Sequence, residues 1–175
     1  MDTYRELNLG LPAPCESLRN EAHHFAMEVM RPAAMAIDRG AEAYPFSVAE
    51  SRLLQVLKAA YGLGYHLALI PERHGGLGLP AIGVHILLEE LGWGSAGIGL
   101  SLVASSLPAI AAIADGRPEL IAQFVKPFAE NRDASWIGCW ALSELRHGSD
   151  QFLVGSDEFR YPTTHAQLVA RAERA

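Results

Sequence analysis

Trp140-Ala141-Leu142-Ser143-Glu144-Leu145-Arg146-His147-Gly148-Ser149-Asp150 is the part of the chain richest in groups that can do chemistry. Two hydroxyls, a glycine and a run of backbone N–H groups in one loop can cradle an anion or the polar edge of a cofactor. The same residue types also make an ordinary polar turn after an edge strand, and composition alone does not choose between the two. Gly92-Trp93-Gly94-Ser95-Ala96-Gly97 satisfies the letters G-x-G-x-x-G, and Asp115 lies 18 residues beyond Gly97. A dinucleotide fingerprint must follow a strand, so that a helix N-terminus meets the pyrophosphate. Here a helical pattern containing Glu89 and Glu90 precedes it, so the segment reads as a helix-to-helix turn with close packing. His74-Gly75-Gly76 has the letters of an oxyanion loop, and 93–97 nearly those of a nucleophile elbow. Trp93 stands where the elbow needs glycine, and no strand precedes Ser95.

No metal site is expected. His23 and His24 are neighbours on a helix and point to different faces, while His66, His85, His147 and His165 show no ligand spacing, so they read as surface or partly buried structural histidines. Cys15 and Cys139 follow no zinc pattern and fit a reducing compartment. With 14 basic and 20 acidic residues the net charge is −6, which disfavours a broad grip on nucleic acid or anionic lipid. A phosphate ligand must therefore be held locally. The first six residues are polar and charged, giving no secretion signal, and the default location is cytoplasmic.

These groups need elements to hold them. The chain has 175 residues, half of them hydrophobic, and a mean hydropathy of +0.10, enough for one domain or one domain plus part of another. Leu18, Ala22, Phe25, Val29, Ala33 and Ile37 recur at helical spacing, with Pro32 expected to kink or interrupt the helix. Ser47-Val48-Ala49-Glu50 matches a capping box ahead of a helix through Leu53, Leu57 and Ala60 to Gly62. Residues 62–80 are too rich in Gly and Pro for a regular element and predict a long ordered connection. A helix restarts near Pro80 with Ile82, Ile86, Leu87 and Leu91 on one face. A nearly all-apolar helix follows over 98–114, expected to be buried all round rather than to span a membrane, because glycines, serines and Pro108 dilute it and no basic cluster flanks it. Asp115-Gly116 makes a turn and Pro118 opens another helix.

From Ala134 the texture changes. Trp136-Ile137-Gly138-Cys139-Trp140-Ala141-Leu142 reads as a strand, and alternation near the end of the chain reads as another. A lone strand pair cannot bury a face, so the chain is expected to stop inside a β-rich domain. The fold class is mainly α: an N-terminal helical-bundle domain over 1–133, then the beginning of a small antiparallel β-barrel domain over 134–175, truncated.

Several motifs fall in register together. Tyr61-Gly62-Leu63-Gly64-Tyr65, Ile70-Pro71-Glu72-Arg73-His74-Gly75-Gly76-Leu77-Gly78, Leu88-Glu89-Glu90-Leu91, and above all Ala141-Leu142-Ser143-Glu144 followed by Gly148-Ser149-Asp150, resemble the acyl-CoA dehydrogenase family. The likeness runs from about Glu16 to Asp150. It implies a flavoprotein oxidoreductase of fatty acid or acyl-CoA metabolism, with FAD and an acyl-CoA thioester held between a helical N-terminal domain, a middle β-domain and a C-terminal four-helix bundle. In that family a carboxylate takes the α-proton and a hydride passes from the β-carbon to the flavin, which hands electrons to an electron-transfer flavoprotein or similar acceptor. The resemblance also implies that the complete protein is a homo-oligomer.

By position the resemblance makes Trp140, Ala141, Leu142, Ser143, Gly148 and Ser149 cofactor-binding residues, with Ser149 also near the bound thioester. Leu145, Arg146 and His147 depart from the family's T-E-P-x-A-G-S-D pattern, although Ser143 keeps the hydroxyl of its threonine. The resemblance places the catalytic base in or beside the C-terminal bundle, so none is assigned among Glu72, Glu89, Glu90 and Glu144. On this reading the 175-residue segment is inactive alone; the alternative is a degenerate, non-catalytic relative kept as an assembly or binding module.

Overall fold

The computed structural model describes residues 10–41 and 51–139, and the chain divides into two units, 1–140 and 141–175, so that every described residue belongs to the first. Among the described residues the structure is helical, with no strand.

The first helical run contains α1 (Ala13–Phe25), a π-turn (Ala26–Met30) and α2 (Arg31–Ala36), with helical dihedrals at each junction. Pro32 does not interrupt the run. A proline removes one N–H and its ring crowds the carbonyl four residues back. The preceding turn widens, and the Arg31 amide donates to the Ala26 carbonyl five residues back. The device recurs at Pro127: α7 (Pro118–Leu120) passes through a π-turn (Ile121–Val125) into α8 (Lys126–Glu130), and the Lys126 amide donates to the Ile121 carbonyl. In both runs the widened turn ends two residues before the proline, so each stays helical instead of breaking.

Helix α3 (Arg52–Gly62) begins at Ser51, whose hydroxyl oxygen accepts from the Leu54 amide at 3.1 Å. Its N-cap is thus Ser51 and not Ser47; the Ser47–Glu50 box lies outside the described residues. The 62–80 connection is ordered as expected, with 3-10 turns at Tyr65–Leu67 and Glu72–His74. Its buried side chains, among them His66, Leu67 and Ile70, pin it to the core.

Helix α4 (Ala81–Gly94) packs on α1 and on α5 (Ala96–Ser105). Ile86, Leu87 and Leu91 are buried, but Ile82, expected on the same face, is 46% exposed because it sits in the first turn, beyond the packed part of the helix. The apolar 98–114 segment is two helices, α5 and α6 (Leu107–Asp115), parted at Ser106, with Pro108 in the first turn of the second. The expectation that it is buried all round does not hold either: Ile98, Leu102, Ala109 and Ala112 enter the core, whereas Leu100 is 67% exposed. An apolar helix carries no polar stripe to mark its outer side, so its sequence cannot show which face is covered.

Of the glycines in the 92–97 segment, Gly94 sets how closely the end of α4 approaches the π-turn at Ala26. A Cβ at Gly94 would lie 2.8 Å from the Ala26 Cβ, while one at Gly92 would meet nothing within 4 Å. Gly94→Ala should cost roughly 1–3 kcal/mol by overpacking, and Gly92→Ala should stabilise by roughly 0.5–1 kcal/mol through reduced chain entropy in a helix. Urea midpoints of the two variants check this contrast; equal effects would remove the packing explanation.

Candidate functional site

The predicted site residues Trp140, Ala141, Leu142, Ser143, Gly148 and Ser149 all lie outside the described residues, as does Glu144. The described residues show how the chain is held as far as Cys139. The strand expected over 136–142 is not present in its described part: residues 136–139 are a bend and irregular chain. A strand requires a ladder partner, and no other strand lies among the described residues.

After α8 the chain turns through two side-chain-closed turns. The Asn131 Oδ1 accepts from the Asp133 amide at 3.3 Å, and the Asp133 Oδ1 accepts from the Ser135 amide at 3.0 Å. Hydrogen bonds from Ser135 hold the Asp133 carboxyl below its usual value of 3.8. Ala134 takes a left-handed φ of 54° with its methyl buried. The Asn131 Nδ2 then donates to the Trp136 carbonyl at 2.6 Å, and the Trp136 ring lies 6.4 Å from both Phe124 and Phe128. Gly138 rests on the α5–α6 junction: a Cβ there would stand 2.2 Å from the Ser105 carbonyl oxygen and 3.0 Å from the Pro108 ring.

That junction is fixed from inside. The Tyr61 hydroxyl donates to Ser105 Oγ at 2.9 Å, and Ser105 Oγ donates to the Leu102 carbonyl at 2.7 Å. Burial pushes the Tyr61 phenol up from 10.0, so it remains a donor. Tyr61 stacks on His66 at 3.9 Å, and Phe128 meets the His66 ring edge-on at 5.1 Å. His66 is 2% exposed, and neither ring nitrogen makes a hydrogen bond of good geometry, although the backbone of Phe128 and Asn131 lies close to the ring. Desolvation, with the positive charge of Arg132 adding to it, lowers its pKa from 6.5 to about 4, so the ring is neutral.

The other sequence candidates fall apart in space. Glu90 is committed to His23, Oε2 to Nδ1 at 2.7 Å, and the His23 ring lies 4.5 Å from Trp93, over which the Arg31 guanidinium sits at 4.7 Å. Glu72 folds against Gly78, and both Glu72 and Glu89 are exposed. Among the described residues no group of three His, Cys, Asp or Glu side chains could hold a metal ion. The G-x-G-x-x-G letters span the end of α4 and the start of α5, with Ser95 as N-cap accepting from the Ile98 amide at 3.4 Å, so they serve helix packing. In the His74-Gly75-Gly76 segment the glycines likewise serve the backbone: Gly75 takes φ 83° and Gly76 lies against the Ile70 carbonyl.

One feature escaped the sequence reading. A groove of about 530 Å³, with Met35, Ile37, Asp38, Leu53, Ile98 and Ser101 in its walls, opens between residues 34–38 and the start of α5. The Ser101 hydroxyl already donates to the Gly97 carbonyl at 2.9 Å, which leaves the walls mainly apolar with one carboxylate. No local spacing announces a groove whose sides are about sixty residues apart.

The helical unit has known relatives. The family model for the acyl-CoA dehydrogenase N-terminal domain matches residues 14–132. The chain belongs to the acyl-CoA dehydrogenase family. Mitochondrial short-chain specific acyl-CoA dehydrogenase from Bos taurus is 31% identical over 144 residues, covering 82% of this chain and 32% of the relative. Among solved structures, nitroalkane oxidase in complex with spermine superposes with a TM-score of 0.66 at 22% identity, over 86% of this chain and 34% of the other. The glutaryl-coenzyme A dehydrogenase complex with glutaryl-CoA gives 0.62 at 23% identity, over 82% and 34%. These two likenesses establish the fold. The chain spans about a third of the length of the curated relatives it matches.

The relatives correct one expectation. The bovine, human and rice acyl-CoA dehydrogenases that the chain matches are mitochondrial proteins, which overturns the cytoplasmic default. That default rested on a missing apolar core near the N-terminus, and organellar transit peptides have no such core, being amphipathic and rich in Arg and Ser.

Proposed function

We propose that this chain is the N-terminal part of an FAD-dependent acyl-CoA dehydrogenase, the part that supplies the helical domain and the flavin-contacting loop. The carrying observation is one of order: directly after the matched helical unit, 14–132, come Ala141-Leu142-Ser143-Glu144 and Gly148-Ser149-Asp150. The beginning of a β-domain beyond residue 140, where the first unit ends, belongs to the same reading.

Bound FAD would accept the hydride from the β-carbon of an acyl-CoA thioester and pass electrons to an electron-transfer flavoprotein or similar acceptor; the protein's share is placement and electrostatics. The donor set fits such a ligand. The Leu142 and Ser143 amides and the Ser143 hydroxyl would face the pyrimidine edge of the flavin, where charge accumulates on reduction and aligned donors stabilise it. Gly148 and Ser149 would lie toward the pyrophosphate and thioester, with glycine allowing close backbone approach. The base that removes the α-proton is assigned to no residue of this chain. The complete protein is a homo-oligomer on this proposal.

Ser143→Ala tests the assignment. Losing one hydrogen bond of about 1 kcal/mol should weaken FAD binding roughly fivefold. Fluorescence titration of wild-type and variant chains reads this, and equal dissociation constants would remove Ser143 from the site.

A further inference from the structure

We infer that His66 is an acid-sensitive latch: neutral, it ties the 62–80 connection to the end of α8 and the turn that follows, and on taking up a proton it lets that end of the helical unit open ahead of the rest. Three elements place the ring. It stands in the 3-10 turn Tyr65–Leu67, its face lies on Tyr61 of α3 at 3.9 Å and 6°, and Phe128 of α8 meets it edge-on. Neither nitrogen has a hydrogen-bond partner. A neutral imidazole in such a place forgoes hydrogen bonds, whereas an imidazolium would bury a charge and two N–H donors with nothing to receive them. The titratable and charged groups that face the ring are Tyr61 from α3, a phenol that burial keeps protonated, and Arg132 from the turn after α8, whose positive charge opposes a second one. Among the described residues no carboxylate forms an ion pair with it.

Release is local because that end of the unit has little else to hold it. Among residues 126–136, Phe128, Asn131 and Ala134 are buried, and the others are half-buried or exposed. Two of those three lie against His66. Beyond them the turn is closed by its own bonds, the Asp133 amide to Asn131 and the Ser135 amide to Asp133. A segment with so few buried contacts opens at a lower free energy than the core of α1 and α4. Once open, His66 meets water and regains its ordinary pKa of 6.5, against about 4 when closed. The open form then binds a proton that the closed form refuses, so acid favours opening throughout that interval. Asp133 does not supply this response, since its carboxyl is held below 3.8 and keeps its charge there.

Hydrogen exchange of the 175-residue chain at pH 7 and pH 5, expressed as protection relative to the unfolded rate at each pH, tests the latch. Residues 126–136 should be less protected than α1 and α4 at both values, and their protection should fall by about tenfold or more between them. His66→Phe, which keeps a ring between Tyr61 and Phe128, should hold that protection nearly constant. Equal protection of 126–136, α1 and α4 would overturn the inference, because this end would then open only with the whole unit. So would protection that ignores pH in the wild type, or an equal fall in His66→Phe. Should that variant not fold, the His66 ring proton shifts of the wild type decide: a ring that stays neutral down to pH 5 in the folded chain supports the latch, and one that titrates near 6.5 overturns it.

Discussion

Gly76→Ala should leave the helical unit barely folded. A Cβ at this position would lie 1.6 Å from the Ile70 carbonyl oxygen and 2.3 Å from its carbon, an overlap with backbone that no rotamer relieves. The 62–80 connection cannot simply lift away, because Leu67 and Ile70 on the same loop are 1% and 2% exposed and the Gly76 amide is tied to the Pro71 carbonyl at 3.2 Å. Either those side chains leave the core or the chain is held under strain. We expect a loss on the order of 4 kcal/mol, near the top of the range for single substitutions and a large part of a domain's stability. Urea unfolding followed by circular dichroism measures it. A midpoint shift worth less than about 1 kcal/mol would show that the loop yields and that Gly76 is not its fixed point.

Acid should destabilise the same unit through His66. The fold keeps this ring neutral, with a pKa of about 4 against an ordinary 6.5. Between those two values the unfolded chain binds a proton that the folded chain does not, so stability is complete above pH 6.5, falls as pH drops, and levels off below about pH 4. The loss amounts to at most about 3 kcal/mol, less where water screens the exposed Arg132. His66→Phe keeps an aromatic ring between Tyr61 and Phe128 while removing two buried nitrogens that lack partners. It should raise stability at pH 7 by roughly 1 kcal/mol and flatten the fall between pH 6.5 and 4. Thermal midpoints of both proteins across that interval decide the matter; an equally steep fall in His66→Phe would place the acid sensitivity elsewhere.

The two predictions mark where the sequence was legible and where it was not. Helical periodicity located α1, α3 and α4, and glycine and proline density located the 62–80 connection, because those signals are local. The role of each glycine was not local. Gly76, Gly94 and Gly138 look no different in the sequence from Gly92, yet the first three lie against a carbonyl or a neighbouring helix and the last faces open space. His66, without ligand spacing, reads in the sequence as a surface or partly buried structural histidine, yet it is 2% exposed, and nothing in its neighbours announces an aromatic sandwich built from Tyr61 and Phe128. Pro32 reads as a kink or an interruption; the run continues past it because a π-turn widens the turn before it, and that depends on the backbone of the whole preceding turn. The apolar stretch after Gly97 gave its helical character but not its break at Ser106 nor the exposure of Leu100. The candidate site rests on motif order alone, and its residues, Trp140 to Ser149, lie outside the described residues.

The claim that this member of the acyl-CoA dehydrogenase family contributes a flavin site is tested most directly by gel filtration of the purified 175-residue chain after incubation with excess FAD. The account predicts that flavin absorbance co-elutes with the folded chain, and that it is lost when Ser143 and Ser149 are both replaced by alanine. A helical, folded chain that elutes free of flavin, or one whose flavin survives the double replacement, would contradict it.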